Sequence, residues 1–229
     1  MKPLKVESLR RADLHDVSIG YIKKGAWNKA DVILIGLPEC EFAVKDYGRK
    51  WLPVRLTGAW QLRREVRAYR RLEGVAGVPR LRRVIDRHAI VLDYIGGIRL
   101  PKYHRRQGGL PQVARRVKDL LDAVHRRGII HGDLRSRDNF LVTTGGDLFL
   151  IDFSSSTVFD PESWLGRVVF PRLIKAEERA LLKWKVALAP QELTEEELER
   201  HRAFKRFRRF WPFNRKKDLP QTRGRNPLL

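Results

Sequence analysis

Apolar residues follow two different spacings along the chain, and these divide it into a strand-rich first part and a helix-rich second part. Short apolar runs predict five strands, at residues 17–22, 31–35, 41–45, 81–84 and 89–92. Between the third and fourth runs, Leu62, Val66, Tyr69 and Leu72 recur at helical spacing, which predicts a helix over residues 60–72 with one buried face. The first part is therefore expected to be a small sheet accompanied by one helix.

The second part opens with the clearest helix in the sequence. An apolar stripe runs from Val113 to Val124, Pro111 marks the start of the helix and Gly128 marks its end. The chain then passes directly into a polar stretch, residues 131–139, that is rich in side chains able to do chemistry.

A hairpin and further helices follow this polar stretch. Residues 140–142 and 148–151 predict two strands joined by a glycine-containing turn. Helices are predicted from Asp160 onwards and over residues 177–188, and Thr194–Glu197 form a capping box that opens another helix. The hairpin matters most, because it brings the residues that precede its first strand close to those that follow its second.

The composition is strongly basic. The 229 residues include 48 Lys or Arg against 27 Asp or Glu, a formal net charge of +21. Such an excess attracts nucleic acid, anionic lipid headgroups or phosphorylated sugars, although arginine spread through all segments for solubility is the alternative. Residues 200–211 combine basic side chains with Phe204, Phe207 and Trp211 on one face, which is typical of a helix on an anionic membrane, or of one that packs on the protein core.

Compartment signals are few and agree with one another. The single cysteine, Cys40, cannot form an internal disulfide, which favours a reducing environment. The first residues are polar and lack the apolar region of a signal peptide, and no run of about 18 apolar residues predicts a membrane span. We therefore expect a cytoplasmic protein, or one bound peripherally at the inner face of a membrane.

The polar stretch and the hairpin carry a recognisable order of residues: His131-Gly132-Asp133, then Asn139 before the first strand, and Ile151-Asp152-Phe153 after the second. This order resembles the catalytic loop and the metal-binding strand of the protein-kinase-like superfamily. The similarity is to small divergent bacterial members, namely RIO-type and Bud32-type kinases and the lipopolysaccharide (Kdo/heptose) kinase-like group. The resemblance implies an α+β, two-lobed fold with a small antiparallel sheet and one helix, followed by a trimmed, mainly helical lobe.

The resemblance also implies roles for residues of the second lobe. Asp133 would accept or orient the hydroxyl of the substrate, and Asn139 and Asp152 would hold Mg²⁺ through oxygen atoms. The spacing between Asp133 and Asn139 is one residue longer than in ordinary protein kinases, so Asp138 stays open as the alternative metal ligand. His131 is expected to make structural hydrogen bonds.

Residues of the first lobe would bind ATP in the same scheme. Lys45, at the end of Ala43-Val44-Lys45, would pair with the α- and β-phosphates and be held by Glu65, unless Glu65 is a surface acid that balances neighbouring arginines. Leu92 would guard the back of the pocket, and the backbone of Asp93 and Tyr94 would meet adenine. Gly25 would lie in a phosphate-covering loop, although the pattern Gly-x-Gly-x-x-Gly does not occur there.

These features predict an ATP- and Mg²⁺-dependent kinase that phosphorylates a hydroxyl group. The acceptor is either a protein Ser or Thr or a lipid-linked sugar, and an anionic membrane surface is a further expected partner, ahead of nucleic acid. The expected division is an N-lobe over residues 1–95, a C-lobe over 96–199 and a basic aromatic segment over 200–229. The alternative is a non-catalytic scaffold that binds nucleotide, anionic membrane or nucleic acid.

Overall fold

The computed structural model describes residues 4–38, 40–107, 112–160, 162–188, 190–199 and 202. Pro111 and the predicted basic aromatic helix, apart from Arg202, lie outside these residues. None of the helices in the described part of the chain is both long enough and apolar enough to cross a membrane.

The first lobe is built on a five-stranded antiparallel sheet. Its strands lie in the order β1-β2-β3-β5-β4, so β3 is central and β5 is inserted between β3 and β4. In β2, every second side chain from Asp31 onwards is buried, as expected of a strand with two unlike faces. The strands are β1 (Ser18–Lys23), β2 (Asp31–Gly36), β3 (Glu41–Asp46), β4 (Leu81–Asp86) and β5 (Ala89–Asp93).

In the described residues of this lobe, one α-helix, α1 (Leu52–Arg71), connects β3 to β4. Its buried face includes the predicted Leu62, Val66 and Tyr69. The predicted start at Trp60 is wrong, because the helix begins at Leu52 and its first turns expose apolar residues to solvent. Pro53 and Gly58, both of low helix propensity, lie in these first turns and weaken the helical pattern there.

Among its described residues, the second lobe contains two small sheets and the helices α2 to α5, with residues 195–199 helical as well. Strand β8 lies between β6 and β9 in an antiparallel sheet, and β7 pairs with β10. The predicted hairpin is present as β8 and β9, in which Phe140 pairs with Leu150. The elements are β6 (Gly97–Arg99), α2 (Leu100–Gln107), α3 (Val113–Arg126), β7 (Ile129–Ile130), β8 (Phe140–Thr143), β9 (Leu148–Leu150), β10 (Thr157–Val158), α4 (Trp164–Val168) and α5 (Phe170–Leu188).

A continuous core joins the two lobes. One cluster of buried side chains includes Leu62 and Tyr69 of α1, Val117 and Val124 of α3, and Phe140 of β8. The fold class predicted from the sequence is therefore confirmed: the protein is α+β, with a two-lobed, kinase-like architecture. Because the core is shared, the position of α1 is coupled to that of the second lobe.

The long helix α5 differs from its prediction. It begins at Phe170 and not at Glu177, and Pro171 lies in its first turn, where a missing N–H costs no hydrogen bond. After it, the predicted capping box is present: the backbone N–H of Thr194 donates to Glu197 at 2.9 Å, and that of Glu197 donates to the Thr194 hydroxyl at 3.3 Å.

The N-terminal segment covers the face of the sheet that is turned away from α1. Val6, Leu9 and Leu14 pack with Ile35 and Phe42 in a second buried cluster. This segment protects the outer side of β2 and β3 from water, and it thereby stabilises the strand that carries Lys45.

Arg11 ties the same segment to the sheet by two carboxylates. Its Nε donates to Asp86 Oδ2 at 2.6 Å and its Nη1 to Asp46 Oδ1 at 3.0 Å. The hydrogen bond from Arg11 is the main reason that the pKa of the Asp86 carboxyl is lowered to about 2. A planar guanidinium reaching two acids in this way cannot be replaced by a point charge.

We expect Arg11→Ala to lower the free energy of unfolding by about 1–2 kcal/mol at pH 7, because it leaves the buried carboxylate of Asp46 without its cation. The pKa of Asp86 is lower in the folded state than in the unfolded state. Its contribution is therefore present above about pH 4 and lost as the pH falls towards about 2. Denaturant unfolding at several pH values should show wild type and variant converging at low pH. Arg10→Ala, an exposed neighbour, is the control, and an equal loss in both variants would contradict this assignment.

Candidate active site

Lys45 is the residue at which three elements of the structure meet. Its Nζ lies 2.8 Å from Glu65 Oε2 and 2.9 Å from Glu65 Oε1, and also 2.9 Å from Asp152 Oδ1. Lys45 comes from the end of β3, Glu65 from the buried face of α1, and Asp152 lies two residues after the end of β9. Glu65 is 1% exposed, so it is not a surface acid that balances neighbouring arginines.

The electrostatics of this group of three are set by burial and by mutual attraction. Burial disfavours the charged form of Lys45, but Glu65 and Asp152 outweigh it and raise the pKa of the ammonium well above its usual range. Burial acts against the carboxylate of Asp152 too, yet Lys45 lowers its pKa below the usual range. Burial raises the pKa of the Glu65 carboxyl, against the attraction of Lys45. Two carboxylates with one ammonium leave one negative charge, which favours a cation on the open side of Asp152.

Asp133 and Asn139 lie together in the polar stretch before the hairpin. The Asn139 Nδ2 donates to Asp133 Oδ2 at 3.3 Å and to the backbone oxygen of Asp133 at 2.9 Å. The N–H of Ile151 donates to the backbone oxygen of Asn139 at 2.8 Å, which holds Asp152 next to this loop. With its amide nitrogen turned to Asp133, Asn139 has its side-chain oxygen available as a ligand.

Asp138 has a different environment from Asn139. Residues Arg137–Asn139 form a short 3₁₀ turn, which accommodates the additional residue in this loop. The Asp138 side chain is 56% exposed, and its Oδ2 lies 3.4 Å from Arg99 Nη1, whereas Asn139 is buried. This arrangement favours Asn139 over Asp138 as the ligand of a metal.

His131 is fully buried and makes hydrogen bonds to the backbone. Its Nε2 lies 3.1 Å from the oxygen of Ile151, and the N–H of Asp133 donates to its Nδ1 at 3.3 Å. Both contacts are satisfied when Nε2 carries the proton, and burial lowers the pKa of this imidazole. Its ring packs edge-to-face with that of Phe153, with 4.9 Å between the ring centroids. The ring of Phe153 packs in the same way with that of Tyr69, at a centroid distance of 5.2 Å. His131 therefore connects the loop to the core.

The backbone conformation at Gly132 requires a glycine between His131 and Asp133. Its φ is +82°, in the left-handed region, and a Cβ added there would lie 2.4 Å from the backbone oxygen of Ser155. A larger residue at this position would strain the backbone and displace the turn that follows Asp152.

Helix α5 makes hydrogen bonds to the backbone of the loop that carries Asp133, through residues that the sequence analysis did not identify. Glu177 accepts a hydrogen bond from the N–H of Gly132 at 2.8 Å, and its other oxygen lies 2.7 Å from His125 Nε2. The indole of Trp184 donates to the backbone oxygen of Leu134 at 3.1 Å. A glutamate and a tryptophan within a predicted amphipathic helix carry no sequence signal for such distant contacts.

Arg64 was also missed, and it joins α1 to the segment after Asp152. Its guanidinium donates to the backbone oxygen of Ser156 at 2.6 Å and to Thr157 Oγ1 at 3.2 Å. The Cζ of Arg64 also lies over the ring of Trp60, 4.6 Å from the ring centroid. The residue next to Glu65 therefore fixes the helix to the turn that carries Asp152.

A cavity of about 400 Å³ opens between the two lobes at these residues. Of the predicted site residues, it is lined by Lys45, Glu65, Leu92, Asp93, Tyr94, Asp133, Asn139 and Asp152, and also by the alternative metal ligand Asp138. Other lining residues that the sequence did not single out include Tyr47, Gln61, Tyr69, Arg99, Ser154 and Ser155. A wider groove of about 1800 Å³ behind β4 and α3 contains none of Lys45, Asp133 and Asp152, so we assign the site to the smaller cavity.

Gly25 does not line this cavity. Its N–H donates to Asp31 Oδ1 at 2.9 Å, and a Cβ there would lie 2.2 Å from the oxygen of Ala30. Gly25 thus allows the loop between β1 and β2 to fold tightly, while Asn28 and Lys29 of that loop face the cavity. The carboxylate of Asp93 is directed to Arg82, and its backbone N–H donates to the oxygen of Arg80 at 3.0 Å, so Asp93 lines the cavity without a free backbone donor.

A two-lobed α+β fold with a strand lysine, a helix glutamate and two loop aspartates around one cavity defines the protein-kinase-like class. Within that class, the family described as the RIO domain matches residues 41–169 of this chain. The match covers more than half of the 229 residues, and the chain belongs to the RIO family, a family of kinases that use ATP. No curated protein is significantly similar to the chain. Helix α5, which supports the loop, lies beyond the matched residues.

We expect Glu177→Ala to lower the free energy of unfolding by about 3 kcal/mol, because it leaves the Gly132 N–H and His125 buried without their acceptor. Glu177→Gln keeps an oxygen for Gly132 and should cost roughly 1 kcal/mol. Thermal or denaturant unfolding measures both, and Glu178→Ala, on the exposed side of the same helix, is the matched control. A loss in Glu177→Ala no larger than in the control would show that α5 does not hold the loop.

Proposed function

We propose that this protein is a Mg²⁺-dependent kinase that transfers the γ-phosphate of ATP to a hydroxyl group. The observation that carries the proposal is the convergence of charges in one cavity. Lys45 bridges Glu65 and Asp152, and Asp133 lies beside Asn139 in the loop that is tied to the same strand end. A buried ammonium between two carboxylates also joins the lobes, but the nearby Asp133 and Asn139 add groups that such a structural role does not use.

The apolar part of the cavity suits the base of a nucleotide. Val32 and Ala43 line it from the sheet, Leu141 and Ile151 line it from the second lobe, and Leu92 lies at the end of β5. A flat ring fits between two apolar surfaces of this kind, and the backbone of Tyr94 beside it supplies donors and acceptors. The proposed boundary between the lobes, between residues 95 and 96, falls one residue after Tyr94.

The phosphates of the nucleotide would lie beyond the base in the same cavity, next to positively charged lysine side chains. Lys45 is proposed to bind the α- and β-phosphates, since its ammonium is kept charged and oriented by two carboxylates. Lys23 and Lys29 line the same cavity from the edge of the sheet and would meet the outer phosphates. Gly25 would contribute only through the fold of its loop.

The residues present fit a divalent cation of the hard, oxygen-binding kind. Asp152 offers a carboxylate that is 43% exposed, and Asn139 offers an amide oxygen beside it. We propose these two as the protein's ligands for Mg²⁺, with phosphate and water oxygens completing the shell. Bound there, the ion would supply neutralisation of charge on the phosphate oxygens.

Asp133 is proposed as the residue that accepts the proton of the acceptor hydroxyl. In this reaction the acceptor oxygen forms a bond to the γ-phosphorus, the bond from that phosphorus to the bridging oxygen breaks, and ADP leaves. The hydroxyl proton passes to the carboxylate of Asp133, whose orientation is fixed by Asn139. The acceptor is either a protein Ser or Thr or a lipid-linked sugar, and each supplies the same chemistry.

The test is transfer of labelled γ-phosphate by purified protein in the presence of Mg²⁺, with the label followed into the protein and lipid fractions of a cell extract. Asp133→Asn should lower transfer at least about 100-fold, because it removes the proton acceptor but keeps the shape and the contact with Asn139. Asp138→Asn, an exposed neighbour in the same loop, should keep most of the activity.

The fraction that takes up label identifies the acceptor class. Undiminished transfer by Asp133→Asn would exclude Asp133 as the base. Binding of ATP without any transfer to either fraction would favour the non-catalytic scaffold instead.

A further inference from the structure

The first half of α1 exposes an unusual set of large apolar side chains. Trp51, Leu52, Leu56 and Trp60 are 60%, 65%, 59% and 58% exposed, respectively. Leu52, Leu56 and Trp60 are spaced by four residues, so they form a stripe along one side of the helix, and Trp51 precedes it. We call these four residues the α1 apolar face. Single exposed apolar residues are ordinary, but a contiguous stripe of this kind marks a surface that meets another apolar phase.

A further tryptophan lies at the same end of the lobe. Trp27 is 71% exposed in the loop between β1 and β2. Lys50, directly before Trp51, donates to the backbone oxygen of Gly25 at 3.3 Å and pairs with Asp31 at 2.8 Å. These contacts hold the loop of Trp27 against the start of α1, so the loop extends the apolar face.

The exposed charges on α1 itself are positive. Helix α1 contains six arginines and one acidic residue, Glu65, which is buried against Lys45. Arg63, Arg67 and Arg70 are exposed and continue the outer side of the helix beyond Trp60. An apolar stripe that passes into exposed arginines is complementary to a surface that is both apolar and anionic.

We propose that the α1 apolar face is a docking surface for an anionic lipid membrane. Tryptophan and leucine enter the boundary between headgroups and acyl chains, and arginines beside them are attracted to anionic headgroups. The stripe lies on the convex surface of a helix. A fluid membrane interface can receive such a surface directly, whereas a folded protein partner would need a groove that matches it. A second copy of this chain fits poorly, because pairing the faces would bring exposed arginines together.

Docking there would place the membrane beside the catalytic cavity. Trp60 stacks over Arg64, and Arg64 is hydrogen-bonded to the turn that follows Asp152. The proposal does not depend on phosphoryl transfer, since it concerns binding alone, and a failure of one would leave the other unaffected.

Vesicle flotation of the full chain tests the proposal. Wild type should bind vesicles of phosphatidylcholine with about one-third phosphatidylglycerol at least tenfold better than pure phosphatidylcholine vesicles. Leu52→Gln with Leu56→Gln should lower binding to the anionic vesicles about tenfold, and Trp60 is left in place to keep the stacking on Arg64. Trp164→Gln with Leu165→Gln, which are 71% and 51% exposed on α4, is the matched control and should bind as wild type does.

Three outcomes would overturn the proposal. One is no binding of wild type to anionic vesicles, which would leave an acidic protein partner as the occupant. Another is equal loss in the α1 and α4 variants. The third is unchanged binding in the α1 variant together with loss when Phe204, Phe207 and Trp211 are replaced by Ser in the full chain, because the C-terminal segment would then be the membrane contact.

Discussion

The ion pairs of Lys45 with Glu65 and Asp152 are the constraint on which the rest of the structure depends. Each partner comes from a different part of the fold: the central strand of the sheet, the helix that packs on it, and the end of the hairpin in the second lobe. Isolated burial of any one of these charges would be costly, but together they compensate one another. The two lobes are therefore held in register by the same contact that is proposed to bind phosphate.

The catalytic loop depends on a second set of contacts, which come from the end of the described chain. Glu177 and Trp184 of α5 bind the backbone of Gly132 and Leu134, while His131 is held between Ile151 and Phe153. Asp133 is thus fixed by its neighbours on both sides. The RIO match ends at residue 169, before α5 begins. The contacts from α5 to the loop are therefore seen in the three-dimensional structure and not in the family match.

Local patterns explain what could be predicted from the sequence. The hairpin of β8 and β9 is a short-range feature, and its glycine turn and flanking apolar runs predicted that Asn139 and Asp152 would approach each other. The contact between Lys45 and Glu65 followed from the kinase-like order of strand and helix. The predicted start of α1 was wrong because Pro53 and Gly58 lower the helix propensity of its first turns, although tertiary packing makes them helical. Glu177 and Arg64 contact residues that are far away in the sequence, and no local spacing indicates such partners.

The most direct test of the account is the affinity for ATP in the presence of Mg²⁺, compared with the affinity for adenosine, measured by calorimetry. If Lys45 is held by Glu65 in order to bind phosphate, then Lys45→Gln and Glu65→Gln should both weaken ATP binding about tenfold or more and leave adenosine binding nearly unchanged. Wild-type affinity for ATP in Lys45→Gln, or an equal loss for ATP and adenosine, would contradict the account.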